Sequence, residues 1–186
     1  MLLAELVGIE TLFLGYPLPT LLRIALLVSH TAPFEPLDAI LSYSHLNLQN
    51  ETLSSFLPHF TERARVKQLV AASPINMGLL TPSPPKWHPA PESLRDASHK
   101  ANEICVEDKW PGGLVDIALG FAYRRDRELT LPTVVGLSQP REVHENIRVW
   151  RSLQEETAEK TKERAAVEER VLEAFKEVQG WSWASP

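Results

Sequence analysis

The chain has 186 residues, 44% of them hydrophobic and 23% charged, the balance of a single globular domain, 1–186, with a real core. A formal net charge of −5 argues against nucleic acid or an anionic membrane as partner. The one cysteine, Cys105, excludes a disulfide framework and fits a reducing, cytoplasmic setting. No histidine motif accompanies it, so it reads as a buried small hydrophobe rather than a nucleophile.

The first thirty residues are apolar, but Arg23 interrupts the run Leu21 to Val28, and Pro17 and Pro19 break the stretch before it. No apolar segment reaches the roughly 18 to 20 residues that a spanning helix needs, so no membrane partner is expected. Leu2 to Ile9 is compatible with a strand or a helix, while Leu12, Phe13 and Leu14 are consecutive apolar residues without a clear pattern. Pro17 to Thr20 opens a helix that ends near His30. Leu37 to Tyr43 is a nearly continuous apolar strand, followed by the polar loop Ser44 to Asn47. Thr52 to Arg65 is an amphipathic helix, with Leu53, Phe56, Leu57 and Phe60 at helical spacing and Asn50 as its N-cap.

Gln68 to Ala72 reads as a buried parallel strand. It stops at Ser73-Pro74, because proline brings no N–H to a ladder, and a loop through Gly78 follows. A proline-dense loop, Pro82 to Pro91, precedes two helices, Glu92 to Glu107 and Gly113 to Arg124. Leu131 to Leu137 is the last strand, and Pro140 to Leu153 the next helix. Gln154 to Gln179 reads as one long helix whose charged run, Glu155 to Arg170, is a solvated face. With the tail it makes a carboxyl-terminal segment, 154–186, in which Trp181 and Trp183 pack on the domain or cover its pocket. Strand and helix alternate, which implies α/β architecture with a parallel sheet and right-handed crossovers.

Three blocks carry a resemblance: LDAILSYSHLNLQN at 37–50, AASPINMGLLTPSPPKWHPAP at 71–91 and TVVGLSQPREVHEN at 133–146. Together they resemble the carboxyl half of an aldo-keto reductase, in the group of D-arabinose and L-galactose dehydrogenases. The resemblance implies about strands five to eight of a (β/α)8 TIM barrel that moves a hydride between a nicotinamide cofactor and a carbonyl or sugar substrate. It would place Ser73, Pro74, Ile75, Met77, Gly78 and Leu79 along the pyrophosphate. Gly136, Leu137, Ser138, Glu142 and Asn146 would surround the adenosine end. Backbone N–H groups around Gly78 and the helix N-terminus after Pro140 are then the expected phosphate donors. Leu137 and Glu142 stand where NADP-preferring members carry a basic residue. A carboxylate there repels a 2′-phosphate and can accept from a ribose hydroxyl, so NAD is expected, with NADP less favoured.

The chain also departs from that family. No stretch matches the strands that carry its Asp, Tyr, Lys and His tetrad, so no catalytic residue is expected here. Tyr16, Tyr43 and Tyr123 lie in segments that match the second half and are unsuited to replace the tyrosine, and His45 and His88 read as loop or pocket-wall residues. Glu10 to Leu14 looks like an insert between Gly8-Ile9 and Gly15-Tyr16-Pro17, the two sides of the fifth-strand turn, as an altered splice or gene start would leave. Ile40 or Leu41 stands where the sixth strand's cofactor glutamine would be. No metal spacing is present. The alternative to a sugar dehydrogenase is a catalytically inactive half-barrel, a binding or assembly module or an incomplete product. Its unpaired strand edges would favour self-association.

Overall fold

Four parallel strands form one sheet in the order β1-β2-β3-β4 in the computed structural model, which describes residues 12–13 and 16–183. β1 is Leu12–Phe13, β2 Ala39–Tyr43, β3 Gln68–Ala72 and β4 Thr133–Val134. β2 and β3 pair along their whole length, from Ala39 against Gln68 to Tyr43 against Ala72, while β1 and β4 each add two residue pairs. Parallel neighbours need a crossover between them. Helix α1, Leu18–Ser29, supplies the first and α2, Thr52–Pro58, the second. The pair α3, Glu92–Glu107, and α4, Gly113–Leu129, makes the third, and α5, Pro140–Gln154, and α6, Ala158–Phe175, follow β4. This is the expected α/β order, an open part of a (β/α) barrel.

Side-chain alternation gives the sheet two unlike faces. Ile40, Leu69 and Ala71 point toward the helices and join Leu18, Leu21, Leu53 and Phe60 in one core. Leu41, Tyr43 and Val70 sit on the other face and are only half-buried. A second core beneath α3, α4 and α6 gathers Leu79, Leu94, Ile117, Phe121, Val171 and Phe175.

The structure corrects several boundaries. The pair in the sheet at the amino-terminal end is Leu12–Phe13, inside the stretch read as an insert, and the reading of Leu2 to Ile9 falls outside the described residues. The last strand shrinks from Leu131–Leu137 to two residues, since Pro132 has no N–H and only Thr133 and Val134 reach β3. The helix from Thr52 loosens at Pro58, whose missing N–H cannot close a helical bond, and continues as a π turn over His59–Arg63. Asn50 precedes the N-cap position, yet its Oδ1 accepts from the Thr52 N–H at 3.0 Å and still serves the first turn. α4 runs on to Leu129 and ends on Thr130 in the left-handed region.

The long carboxyl-terminal helix is two helices. α5 absorbs Gln154, the chain turns at Glu155 to Thr157, and Thr157 caps α6 by accepting from the Lys160 N–H at 3.3 Å. Nor is the charged run wholly solvated. Arg164 is buried, donating through Nη1 to Asp116 Oδ1 at 2.9 Å and through Nε to Glu156 Oε1 at 2.8 Å. Asp116 also accepts from Trp110 Nε1 and from Arg148 Nη2, each at 2.9 Å, so one carboxylate joins α4, α5 and α6. The guanidinium lies so close to α4 that a Cβ on Gly120 would meet Arg164 Nη1 at 2.5 Å. Breaking a buried pair strands the remaining charge, at roughly 3 to 5 kcal/mol. Arg164→Ala should therefore lower unfolding free energy by about that much in urea titrations, and a loss under about 1 kcal/mol would contradict the role assigned to it.

Candidate functional site

A cavity of about 350 Å³ opens at the carboxyl ends of β2, β3 and β4. Its walls are Leu41 and Tyr43 from β2, Ala72 at the end of β3 and Ser73, Pro74, Ile75, Met77 and Gly78 in the loop after it, and Val134 at the end of β4 with Val135 and Gly136 beyond. Ligands of parallel α/β sheets bind at this end of the strands.

The loop after β3 takes its shape from four left-handed residues, Ser73 at φ 62, Asn76 at 51, Met77 at 57 and Gly78 at 85. Left-handed non-glycine residues cost about 1 kcal/mol or more each. Hydrogen bonds within the loop offset that cost: the Met77 N–H donates to Ser73 Oγ at 2.8 Å, Asn76 N–H to Ser73 O at 2.9 Å and Gly78 N–H to Ile75 O at 3.1 Å. Leu79 and Leu80 likewise donate to Asn76 O and Ile75 O. The amides from Asn76 to Leu80 are thus paired inside the loop, and the expectation that those around Gly78 face a phosphate does not hold in this geometry.

Buried polar groups fix the loop from behind. Asn76 Nδ2 donates to Gln49 Oε1 at 2.9 Å, and Gln49 Nε2 donates to the carbonyls of Val178 and Trp181 at 2.9 and 3.1 Å. His88 Nδ1 accepts from the Ala90 N–H at 3.0 Å, so the neutral ring carries its proton on Nε2, which donates to Asn76 O at 3.0 Å. The tail closes the arrangement: Trp183 Nε1 donates to Met77 Sδ at 3.1 Å, and its ring meets His88 edge-on at 4.9 Å. Trp183 also stands with Tyr43, Ser44 and His45 around a small gap, so the tail packs on the domain beside the cavity.

Of the residues expected along a cofactor, Ser73, Pro74, Ile75, Met77, Gly78 and Gly136 come together in the cavity wall. Leu79 does not; it is fully buried in the helical core, and its carbonyl accepts from Ser98 Oγ at 2.6 Å. Leu137 and Ser138 are exposed beyond the cavity, before α5. Glu142 folds back to accept from the N–H groups of Ser138 at 2.6 Å and Gln139 at 3.2 Å, which holds its carboxyl below the usual range and fixes its charge beside the helix N-terminus. Asn146 Oδ1 accepts from the Tyr123 hydroxyl, whose pKa burial pushes up to about 12.

Leu41, Tyr43, Ala72, Val134 and Val135 also line the cavity and were not among the expected set; the two from β2 shape its apolar side. Tyr43 lies with Ser73 beside its hydroxyl, and burial raises its pKa. Leu41, rather than fully buried Ile40, meets the cavity from β2. The period-two alternation that joins Leu41 to Tyr43 was the available signal. Cys105 is buried, and desolvation pushes its thiol up to about 11, so it is no thiolate.

No family model matches the chain. It is similar to an L-galactose dehydrogenase of Arabidopsis thaliana, 34% identical over 111 residues, which cover 59% of this chain and 33% of the relative. It is also similar to a D-arabinose 1-dehydrogenase of Saccharomyces cerevisiae, 33% identical over 110 residues, 58% of this chain and 32% of the relative. The aligned stretch thus spans about a third of each curated relative. These similarities agree with the aldo-keto reductase resemblance of the three blocks. Among the described residues no helix is long and apolar enough to cross a membrane.

Both site histidines are neutral in the fold. Burial lowers the pKa of His88 and takes His45, whose Nδ1 lies 3.1 Å from Ser42 Oγ, down to about 4. The unfolded chain binds more protons below pH 6.5, so the stability His45 contributes is complete above 6.5 and is lost as pH falls toward 4, and His88 acts in the same direction. For His45 alone that window is worth up to about 3 kcal/mol. Urea unfolding at pH 7 and pH 4.5 should show a lower midpoint in acid, with a smaller drop in His45→Gln; identical drops would contradict the assignment.

Proposed function

We propose that this chain holds NAD in a sugar oxidoreductase of the aldo-keto reductase kind, acting in the cytoplasm on an aldose or related carbonyl compound. The observation that carries the reading is the cavity at the strand ends, built by Ser73 to Gly78 and Gly136 together. The names of the two similar dehydrogenases support a sugar substrate.

The residues present fit a dinucleotide in part. A Cβ on Gly136 would meet nothing within 4 Å, so backbone and ligand can approach there. Leu41 and the Tyr43 ring offer an apolar wall for a flat ring. With the amides of the loop after β3 already paired, the dipole of α5 is the remaining favourable field for the pyrophosphate, offset in part by the Glu142 carboxylate that accepts from the Ser138 and Gln139 N–H groups. Glu142 keeps a 2′-phosphate away from that end, and its less encumbered Oε1 can accept from a ribose hydroxyl. Bound NAD would supply the hydride acceptor; the chain's own residues bind and orient it.

A second reading, a module that binds without catalysing, is favoured by one observation: none of the residues lining the cavity is charged. A phenol whose pKa is raised, with no cation beside it in the wall, is not an activated acid. The edge of β4, unpaired among the described residues, and Val143 and Ile147 on α5, exposed by 39 and 44%, support self-association.

Calorimetry should show NAD⁺ binding, with NADP⁺ weaker by about tenfold, the effect of one uncompensated charge contact of about 1.4 kcal/mol. Glu142→Lys should reverse the preference. Equal affinities, or no reversal, would contradict the role of Glu142. NADH formation from D-arabinose or L-galactose by the chain alone would decide for the enzyme over the silent module. Sedimentation velocity should detect a dimer or larger species that Ile147→Glu disperses; a wild-type monomer at all concentrations would contradict self-association.

A further inference from the structure

Away from the cofactor loops, a second cavity of about 460 Å³ lies between the last turns of α4, the start of β4 and the end of α5. Asp126 is only 5% exposed, yet neither of its carboxylate oxygens has a hydrogen-bond partner. Thr133 Oγ1 and Arg124 Nη1 are also buried without one. All three residues line this one cavity. Buried polar groups are ordinarily paired, and three unpaired ones around a single space point to a ligand that pairs them. The other nitrogen of Arg124, Nη2, is occupied by Glu168. Trp150, half-exposed, and Leu153 supply apolar surface at the same cavity.

The chemistry selects the ligand class. An anion would face the Asp126 carboxylate, and a metal cation would face Arg124 and Arg127, which both line the space. A neutral molecule with several hydroxyl groups answers both demands, because each hydroxyl donates to a carboxylate and accepts from a guanidinium. Its C–H faces lie against the Trp150 indole, and the volume falls in the ordinary range for small-molecule sites, roughly 300 to 1,000 Å³. We propose that the α4–β4–α5 cavity is a binding site for a neutral polyol of monosaccharide or cyclitol class, held by Asp126, Arg124 and Thr133 and stacked on Trp150. It shares no residue with the cavity at the strand ends and does not depend on the reading given to that cavity. Without ligand, burial pushes the Asp126 carboxyl up to about 7, so the ionised acceptor that the polyol needs becomes more available as pH rises.

The test is saturation-transfer NMR and calorimetric titration of the whole chain with myo-inositol, in the absence of cofactor. Saturable binding in the millimolar range is expected, weakened about tenfold by Asp126→Asn and by Trp150→Ala. Asp126→Asn keeps the side-chain shape and removes a buried charge, and Trp150 is half-exposed, so both variants should remain folded, with circular dichroism as the check. Absence of saturable binding would overturn the proposal. So would binding that survives both substitutions, or binding that disappears instead in Tyr43→Ala, which would place the probe at the strand ends.

Discussion

The side chain and carbonyl of Asn76 are what the loop after β3 depends on. Asn76 is fully buried and left-handed, and it joins three other parts of the chain: the loop after β2 through Gln49, the proline-dense loop through His88, and, by way of Gln49, the carboxyl-terminal tail at Val178 and Trp181. Its Nδ2 donates to Gln49 and its carbonyl accepts from His88, while its Oδ1 has no partner among the described residues, so the pairing that holds this left-handed asparagine comes from Nδ2 and the carbonyl. In a low-dielectric interior each satisfied link strengthens its neighbours, while an unsatisfied one is costly, so such a chain holds one loop shape. That shape presents Ser73, Met77 and Gly78 to the cavity and turns their neighbouring amides inward.

The same division of labour runs through the whole sheet. The face carrying Ile40, Leu69 and Ala71 is sealed by helices, while Leu41, Tyr43 and Val70 stay half-buried on the other. Stability is concentrated on the helical side, where Asp116 and Arg164 bind α4 to α6 and Arg148 adds α5. The strand ends are left free to form a cavity wall, and that wall follows from the topology rather than from any one motif.

Much of this was legible in the residues. β2 and β3 could be read because a parallel strand covered by helices is a continuous apolar run, and Ser73-Pro74 marks where such a run must stop. β4 was overextended because Leu131 to Leu137 is equally apolar, and only pairing to β3 reveals that two residues participate. The break at Glu155 to Thr157 hides in an uninterrupted Glu and Lys pattern, and the burial of Arg164 depends on Asp116, 48 residues earlier. Around the cavity, Ser73, Pro74, Ile75, Met77, Gly78 and Gly136 were legible as neighbours, though not what they hold. Leu79 was not separable from them, because its burial depends on packing against α3. The inward turn of the loop amides was hidden as well, since it follows from left-handed Asn76 and Met77, where sequence alone points only to glycine.

The most direct measurement is a two-dimensional amide NMR titration of the ¹⁵N-labelled chain with NAD⁺. Binding in the cavity at the strand ends predicts shifts concentrated in Ser73 to Leu79 and Gly136 to Glu142, with the indole resonance of Trp183 moving alongside Met77. Shifts confined to other surfaces, or none at saturating NAD⁺, would contradict it.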